Sequence, residues 1–187
     1  TFANYWMHNG FVTIGEDAEK MSKSLGNFVT VHDILKEVDP QVLRFFLGTA
    51  HYRRPVKYSD KAIEEAKINL DKVKIAYQNA HYRLQDAVAA LPDDAEKLAL
   101  FQNLQEQFVT EMDDDFQADN AMTIVYQFAK ELNIYAEGEA VSEAVITKAL
   151  ALYKAMVGVF GVVLEEEALL DDDIQTLIDE RTQARTD

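Results

Sequence analysis

Lys20 and Lys23 stand three residues apart in the stretch EKMSKSLGN, residues 19–27, with Met21 and Ser22 between them, Ser24 after them and Gly26 close behind. Lysines are compact cations on flexible stems, and serine hydroxyls are donors that meet phosphate oxygens without adding negative charge. Gly26 allows close backbone approach, and a helical turn starting near Ser24 would aim unpaired N–H groups at the same anion. These groups together suit polyphosphate. They do not form a Walker loop, because the order of glycine-rich loop and then Lys-Ser/Thr is missing. On spacing alone, a solvated loop at the end of a hairpin is an equally good reading, and both stand at this point.

The elements that would position these lysines are short. Phe2 to His8 resembles a brief helix closed by Asn9-Gly10, a pair expected where a helix ends in a left-handed residue. FVTI at 11–14 is β-prone, GEDAE turns the chain, and Phe11 to Met21 reads as a hairpin whose far end runs into the serine-lysine loop. Thr30 caps a helix with Asp33 as its box partner. Asp39-Pro40 starts another helix, carrying Val42, Leu43, Phe46 and Leu47 to Gly48. These two helices are expected to pack together under the loop.

From Ser59 the pattern is helical throughout. Ile63, Ala66, Leu70, Val73, Tyr77, Ala80 and Leu84 follow steps of three and four, with the small alanines favouring close packing in a bundle. A break falls at Leu91-Pro92-Asp93. One-sided stripes follow at Leu98, Phe101, Leu104, Phe108 and Met112, then at Ala121, Ile124, Val125, Phe128, Leu132 and Tyr135. A helix capped by Ser142 is apolar on a wider arc, through Val145, Ala149, Leu152, Tyr153, Met156 and Phe160, and is expected to be central. Asp171 to Asp173 precede a last helix with Ile174, Leu177 and Ile178. The fold expected is mainly α: a short β-hairpin with small helices, then an antiparallel helical bundle.

The 187 residues, 48% hydrophobic, suffice for a sizeable core. No cysteine is present, which excludes a disulfide framework, a thiolate metal site and a thiol nucleophile within the chain. The longest apolar run, Met156 to Leu164, is too short to span a membrane, and the expected location is the cytoplasm. The formal charge of −15 is segregated: residues 1–60 hold 7 Lys+Arg against 7 Asp+Glu, and residues 61–187 hold 11 against 26. So acidic a second part argues against nucleic-acid binding by bulk electrostatics, and any RNA contact must be local. The opening on Thr1, with no initiator methionine, reads as the start of a piece of a longer protein.

Lys20-Met21-Ser22-Lys23-Ser24 matches the KMSKS signature of class I aminoacyl-tRNA synthetases. FANYWMHNGFV before it, SLGNF after it, HYRRPVKYS at 51–59 and MDDDF at 112–116 resemble, in the same order, cysteinyl-tRNA synthetase. The resemblance covers essentially the whole chain. It implies that residues 1–58 end a catalytic domain and include its stem-contact region, that 59–187 form the bundle, and that about 97–160 are a DALR-type tRNA-binding part. It implies a parent enzyme that activates cysteine with ATP and passes it to tRNA(Cys), with Lys23, assisted by Lys20, binding ATP and neutralising charge toward pyrophosphate. It also implies a zinc site in the parent, built from two Cys, a His and a Glu upstream of Thr1. With neither that site nor a HIGH-type motif, the chain alone is expected to be inactive and monomeric. The rival readings are the cysteine ligase of mycothiol synthesis and a helical RNA-binding or adaptor module.

Other candidates weigh less. Arg53-Arg54 beside His51 and Tyr52 suit an RNA contact, but a strap joining the two parts, with Tyr52 inward, is favoured. Lys67, Lys72 and Lys74 read as a solvated face. His8 lacks partners at ligand spacing and is assigned no metal. Asp113 to Asp115 read as a helix end, since adjacent residues point different ways. Gln117-Ala118-Asp119 replaces the family's Asn-Thr-Pro, and Asp119 is expected to take over capping of the next helix.

Overall fold

The computed structural model describes residues 2–14, 19–20 and 29–164. Strand β1 (Val12–Ile14) pairs antiparallel with β2 (Glu19–Lys20), with Thr13 opposite Lys20 and Ile14 opposite Glu19. The expected hairpin is therefore present. A third strand, β3 (Val56–Tyr58), lies parallel on the other edge of β1, pairing Val12 with Val56 and Ile14 with Tyr58. Sequence reasoning missed this strand: a parallel partner more than forty residues away leaves no turn signal.

Between β1 and β3 run two short helices. Helix α1 (Val31–Ile34) starts as expected, with Thr30 Oγ1 accepting from the Asp33 backbone N–H at 3.1 Å and donating to Asp33 Oδ2 at 2.6 Å. Helix α2 (Pro40–Gly48) follows Asp39, whose Oδ1 accepts from the N–H groups of Gln41 (2.7 Å) and Val42 (3.3 Å). The two helices, expected to pack together, touch each other only slightly, and α2 instead buries Val42 and Phe45 against α3 (Asp60–Arg83). A four-residue helix has too little apolar surface to hold a partner.

The expected helix from Phe2 to His8 does not form; residues 2–10 have no regular structure. Seven residues are too few to be helical unless one face is buried, and Phe2, Tyr5 and Trp6 are all exposed. Gly10 also serves a purpose other than ending a helix. A Cβ there would lie 2.2 Å from the Arg54 carbonyl oxygen and 2.7 Å from Pro55 N, so only glycine admits this backbone approach.

The bundle contains α3, α4 (Asp94–Asp113), α5 (Ala118–Ala136) and α6 (Glu143–Val159), with short turns reversing the chain between the last three. The expected stripes are the buried ones: Ala66, Leu70, Val73, Tyr77 and Ala80 on α3, and Phe101, Leu104 and Phe108 on α4. The central place expected of α6 is shared with α5: each packs on the other three helices, and α5 buries residues around a broader arc than its stripe suggested, with Met122, Ala129 and Ala136 added. Four buried alanines on α5, Ala118, Ala121, Ala129 and Ala136, let its neighbours approach closely, an effect that hydrophobicity does not reveal. Phe101, Phe128 and Tyr153 pack through the centre as tilted ring pairs at centroid distances of 4.8 and 5.4 Å. Ser142 precedes α6 but does not cap it with its side chain: fully buried, it donates from Oγ to Asp94 Oδ2 at 2.8 Å while its N–H donates to Tyr135 OH at 2.7 Å. The expected last helix after Asp171–Asp173 lies outside the described residues.

Candidate functional site

The candidate nucleotide loop has its two ends fixed. Lys20 leaves the hairpin on β2, opposite Thr13, and the chain resumes before Thr30, whose side chain locks the start of α1. Met21, Ser22, Lys23 and Ser24 lie outside the described residues. The hairpin is in turn held on its other edge by β3 and by two backbone bonds outside the strand pairing, Gly10 N–H to Tyr52 C=O (2.7 Å) and Val56 N–H to Phe11 C=O (2.9 Å). Residues 51–56 are thus the support on which the base of the loop rests.

The same segment is tied to the bundle by a polar cluster. Tyr52 OH donates to Asp115 Oδ1 at 2.7 Å, Arg53 Nη2 donates to the same oxygen at 3.1 Å, and Arg53 Nε donates to Tyr52 OH at 2.7 Å. His51, buried, has Nε2 3.9 Å from Asp115 Oδ2 and accepts the Arg53 N–H at Nδ1. Next to them, Arg54 Nη1 meets Asp119 Oδ2 at 2.7 Å. The hydrogen bond from Tyr52, with the charge of Arg53, holds the Asp115 carboxyl below the usual carboxylate range. The hydrogen bond to Tyr52 and the negative charge of Asp115 raise the pKa of Arg53 in turn.

This cluster bears on three readings of the sequence. Arg53 and Arg54 form the strap, with Tyr52 half-buried and its ring edge-on to Phe116. Asp113 ends α4, Asp114 follows as its cap, and Asp115 turns the chain with φ of 56°, followed by Phe116 at 54°. The expected capping of α5 by Asp119 is corrected: Gln117 holds the cap position, and Asp119, already in the first helical turn, faces Arg54. The contact between 51–54 and 115–119 escaped sequence reasoning. Its one signal was an arginine pair and an aspartate run of opposite charge, and nothing in the sequence states that they meet.

A groove of about 1170 Å³ runs beside this support, walled by Val12 and Val56 of the sheet, Arg44 and Leu47 of α2, and Phe116 and Phe160 of the bundle. Lys67 and Lys72 are exposed on α3 and Lys74 is half-buried, with Lys72 Nζ donating to Asn69 Oδ1 at 3.2 Å. His8 is exposed and stacked on Trp6. A zinc site with two thiolates does not fit this chain, which has no cysteine, and no three His, Asp or Glu side chains gather at a metal-binding spacing among the described residues. No described helix is long and apolar enough to cross a membrane.

Residues 1–68 match the family model described as tRNA synthetases class I (C) catalytic domain, and residues 107–165 match the DALR domain. In fold, the chain is similar to the Agrobacterium radiobacter K84 agnB2 LeuRS in its ternary complex with tRNA and LeuAMS, with a TM-score of 0.64 at 22% identity over 81% of this chain and 20% of the other. The two family models thus place these segments with the class I aminoacyl-tRNA synthetases and their DALR domain. More particularly, the chain belongs with the cysteine–tRNA ligases. It is 52% identical to that of Enterococcus faecalis over all 187 residues, and 54% identical to that of Ligilactobacillus salivarius over 185 residues, 98% of the chain. It spans 40% and 39% of the lengths of these two relatives.

Proposed function

We propose that this chain is the part of a cysteine–tRNA ligase that brings the KMSKS lysines to ATP and supports them from a helical bundle. In the whole enzyme, a cysteine carboxylate oxygen attacks the α-phosphorus of ATP and pyrophosphate leaves, giving cysteinyl-adenylate. Cysteine then passes to the terminal adenosine of tRNA(Cys). Lys23 neutralises the charge that accumulates toward pyrophosphate, with Lys20 assisting and Ser22 and Ser24 supplying donors along Met21. This is electrostatic stabilisation by groups held in advance, and removing one such group typically costs a factor of about 10² to 10³ in turnover.

The observation that supports this reading is the end-to-end similarity to cysteine–tRNA ligases together with a hairpin that leaves Lys20 on a fixed strand. The division proposed is 1–58 for the end of the catalytic domain, 59–187 for the bundle and about 97–160 for the tRNA-facing DALR part. Residues 1–187 alone lack the zinc and HIGH-type components and do not activate cysteine. The test is cysteine-dependent ATP–pyrophosphate exchange by a full-length ligase containing these residues. Lys23→Ala should lower kcat by about 10² or more while changing the KM for ATP much less. Unchanged turnover would remove Lys23 from the chemistry, and exchange by the 187-residue chain alone would overturn its predicted inactivity.

A further inference from the structure

Residues 51–54 reach in two directions. Tyr52 gives its hydroxyl to Asp115 of the bundle at 2.7 Å, and its carbonyl accepts the Gly10 N–H at the foot of β1, also at 2.7 Å. Arg54 gives its guanidinium to Asp119 of α5, and its carbonyl lies where a Cβ on Gly10 would fall. Two residues therefore make both contacts, and the hairpin cannot shift against the α4–α5 turn without breaking one of them.

The turn itself is held in an unfavourable conformation. Asp115 and Phe116 are consecutive non-glycine residues in the left-handed region, the second an aromatic for which that region is uncommon. Such a conformation persists where its surroundings over-determine it. Here they consist of the Met112 carbonyl accepting the Phe116 N–H, the Phe116 ring against Tyr52, and the Asp115 carboxylate receiving both Tyr52 and Arg53. A side chain projecting from a left-handed position leaves the helix axis, which is how a residue at the end of α4 reaches a segment more than sixty positions earlier.

We propose that Asp115 is a positioning residue: from the α4–α5 turn it fixes Tyr52 and Arg53, and through them it sets the place of the sheet of β1, β2 and β3, whose edge strand carries Lys20. In its consequence for nucleotide chemistry, the inference rests on the function proposed above. A change in the bundle that moves this turn is transmitted to the sheet.

Two variants separate the carboxylate from the turn. Asp115→Gly removes the carboxylate while easing the left-handed backbone, and Tyr52→Phe removes only the hydroxyl. In the 187-residue chain, amide hydrogen exchange at Gly10 and Val56 should accelerate about tenfold in both variants, with Val125 and Phe128 in α5 unchanged. Unchanged Gly10 and Val56, or a uniform acceleration over the bundle, would overturn the proposal. In the full-length ligase, Asp115→Asn should lower the kcat of pyrophosphate exchange about tenfold with the KM for cysteine unaltered. If Lys23→Ala abolishes exchange while Asp115→Asn leaves it intact, the positioning role fails and the proposed function stands. If Lys23→Ala has no effect, the proposed function fails, and the amide experiment still decides whether Asp115 holds the sheet.

Discussion

Replacing Gly10 with alanine should detach the sheet from its support while leaving the bundle folded. The added Cβ would sit 2.2 Å from the Arg54 carbonyl oxygen, 2.4 Å from its carbon and 2.7 Å from Pro55 N. All three atoms are backbone, so no side chain can swing aside, and the separation must grow by roughly an ångström to reach ordinary contact. At that distance the bonds Gly10 N–H to Tyr52 C=O and Val56 N–H to Phe11 C=O cannot both survive. One or two backbone bonds at about 1 kcal/mol each, with an overpacking cost of about 1 to 3 kcal/mol, give a local loss of about 2 to 5 kcal/mol. Hydrogen exchange should show Gly10, Thr13 and Val56 losing most of their protection, while Leu132 and Ile146 keep theirs. Gly158→Ala is the control: nothing lies within 4 Å of its Cβ position on α6, and alanine there should raise stability by up to about 1 kcal/mol. Wild-type protection at Gly10 and Val56 in the alanine variant would refute the close-approach reasoning, and loss of the whole bundle would refute the separability of the two parts.

Four further outcomes are expected. Phe101→Ala, at a fully buried ring touching Phe128 and Tyr135, should cost about 3 to 5 kcal/mol in denaturant titration. Ser142→Ala removes the hydroxyl that donates to Asp94 in a buried setting and should cost about 1 to 3 kcal/mol, measured in the same way. Burial raises the Tyr153 pKa, so above the ordinary tyrosine value of about 10 the unfolded chain loses a proton that the folded chain keeps; stability should fall by about 1.4 kcal/mol per pH unit for this residue, and Tyr153→Phe should flatten that slope. The Asp115 pKa is lowered, so its contribution is present above the unfolded aspartate value of about 3.9 and is lost as pH falls through the folded one; NMR shifts of the Tyr52 ring should change in that window and lose the change in Asp115→Asn.

The helices of the bundle were legible because their signal is local and repeated. Ile63 to Leu84 places an apolar residue at every third or fourth position, and a period sustained over twenty residues survives errors at single positions. The caps at Thr30 and Asp39 were legible for a similar reason, since donor and acceptor lie within three residues. What was not legible depends on partners far along the chain. Strand β3 is defined by β1, the wide buried arc of α5 by three neighbours, and the close approach at Gly10 by Arg54. Asp119 shows the limit most clearly: its type and place near a helix start suit a cap, yet the fold brings Arg54 to 2.7 Å and the carboxylate serves that cation instead. At the candidate site, the residue types suit phosphate, but spacing alone did not separate a phosphate loop from a solvated one.

The sheet and the bundle meet through two kinds of contact with different physical consequences. Val42 and Phe45 of α2 share one apolar core with Leu70, Phe108 and Phe160, and that burial favours association with little preference for direction. The contacts of Tyr52, Arg53 and Arg54 with Asp115 and Asp119 are charge-assisted hydrogen bonds whose strength depends on angle as well as distance. Apolar docking alone would permit α2 to pivot on α3, carrying the hairpin with it. The polar contacts, set at the far end of α4, restrict that pivot. Substitutions within the shared core should therefore reduce global stability without singling out the sheet, whereas substitutions at 52, 53 or 115 should loosen the hairpin and leave the melting of the bundle nearly unchanged. Hydrogen exchange resolved by residue, compared between Phe45→Ala and Tyr52→Phe, distinguishes the two. If both variants expose the same amides, orientation and adhesion are not divided between these contacts.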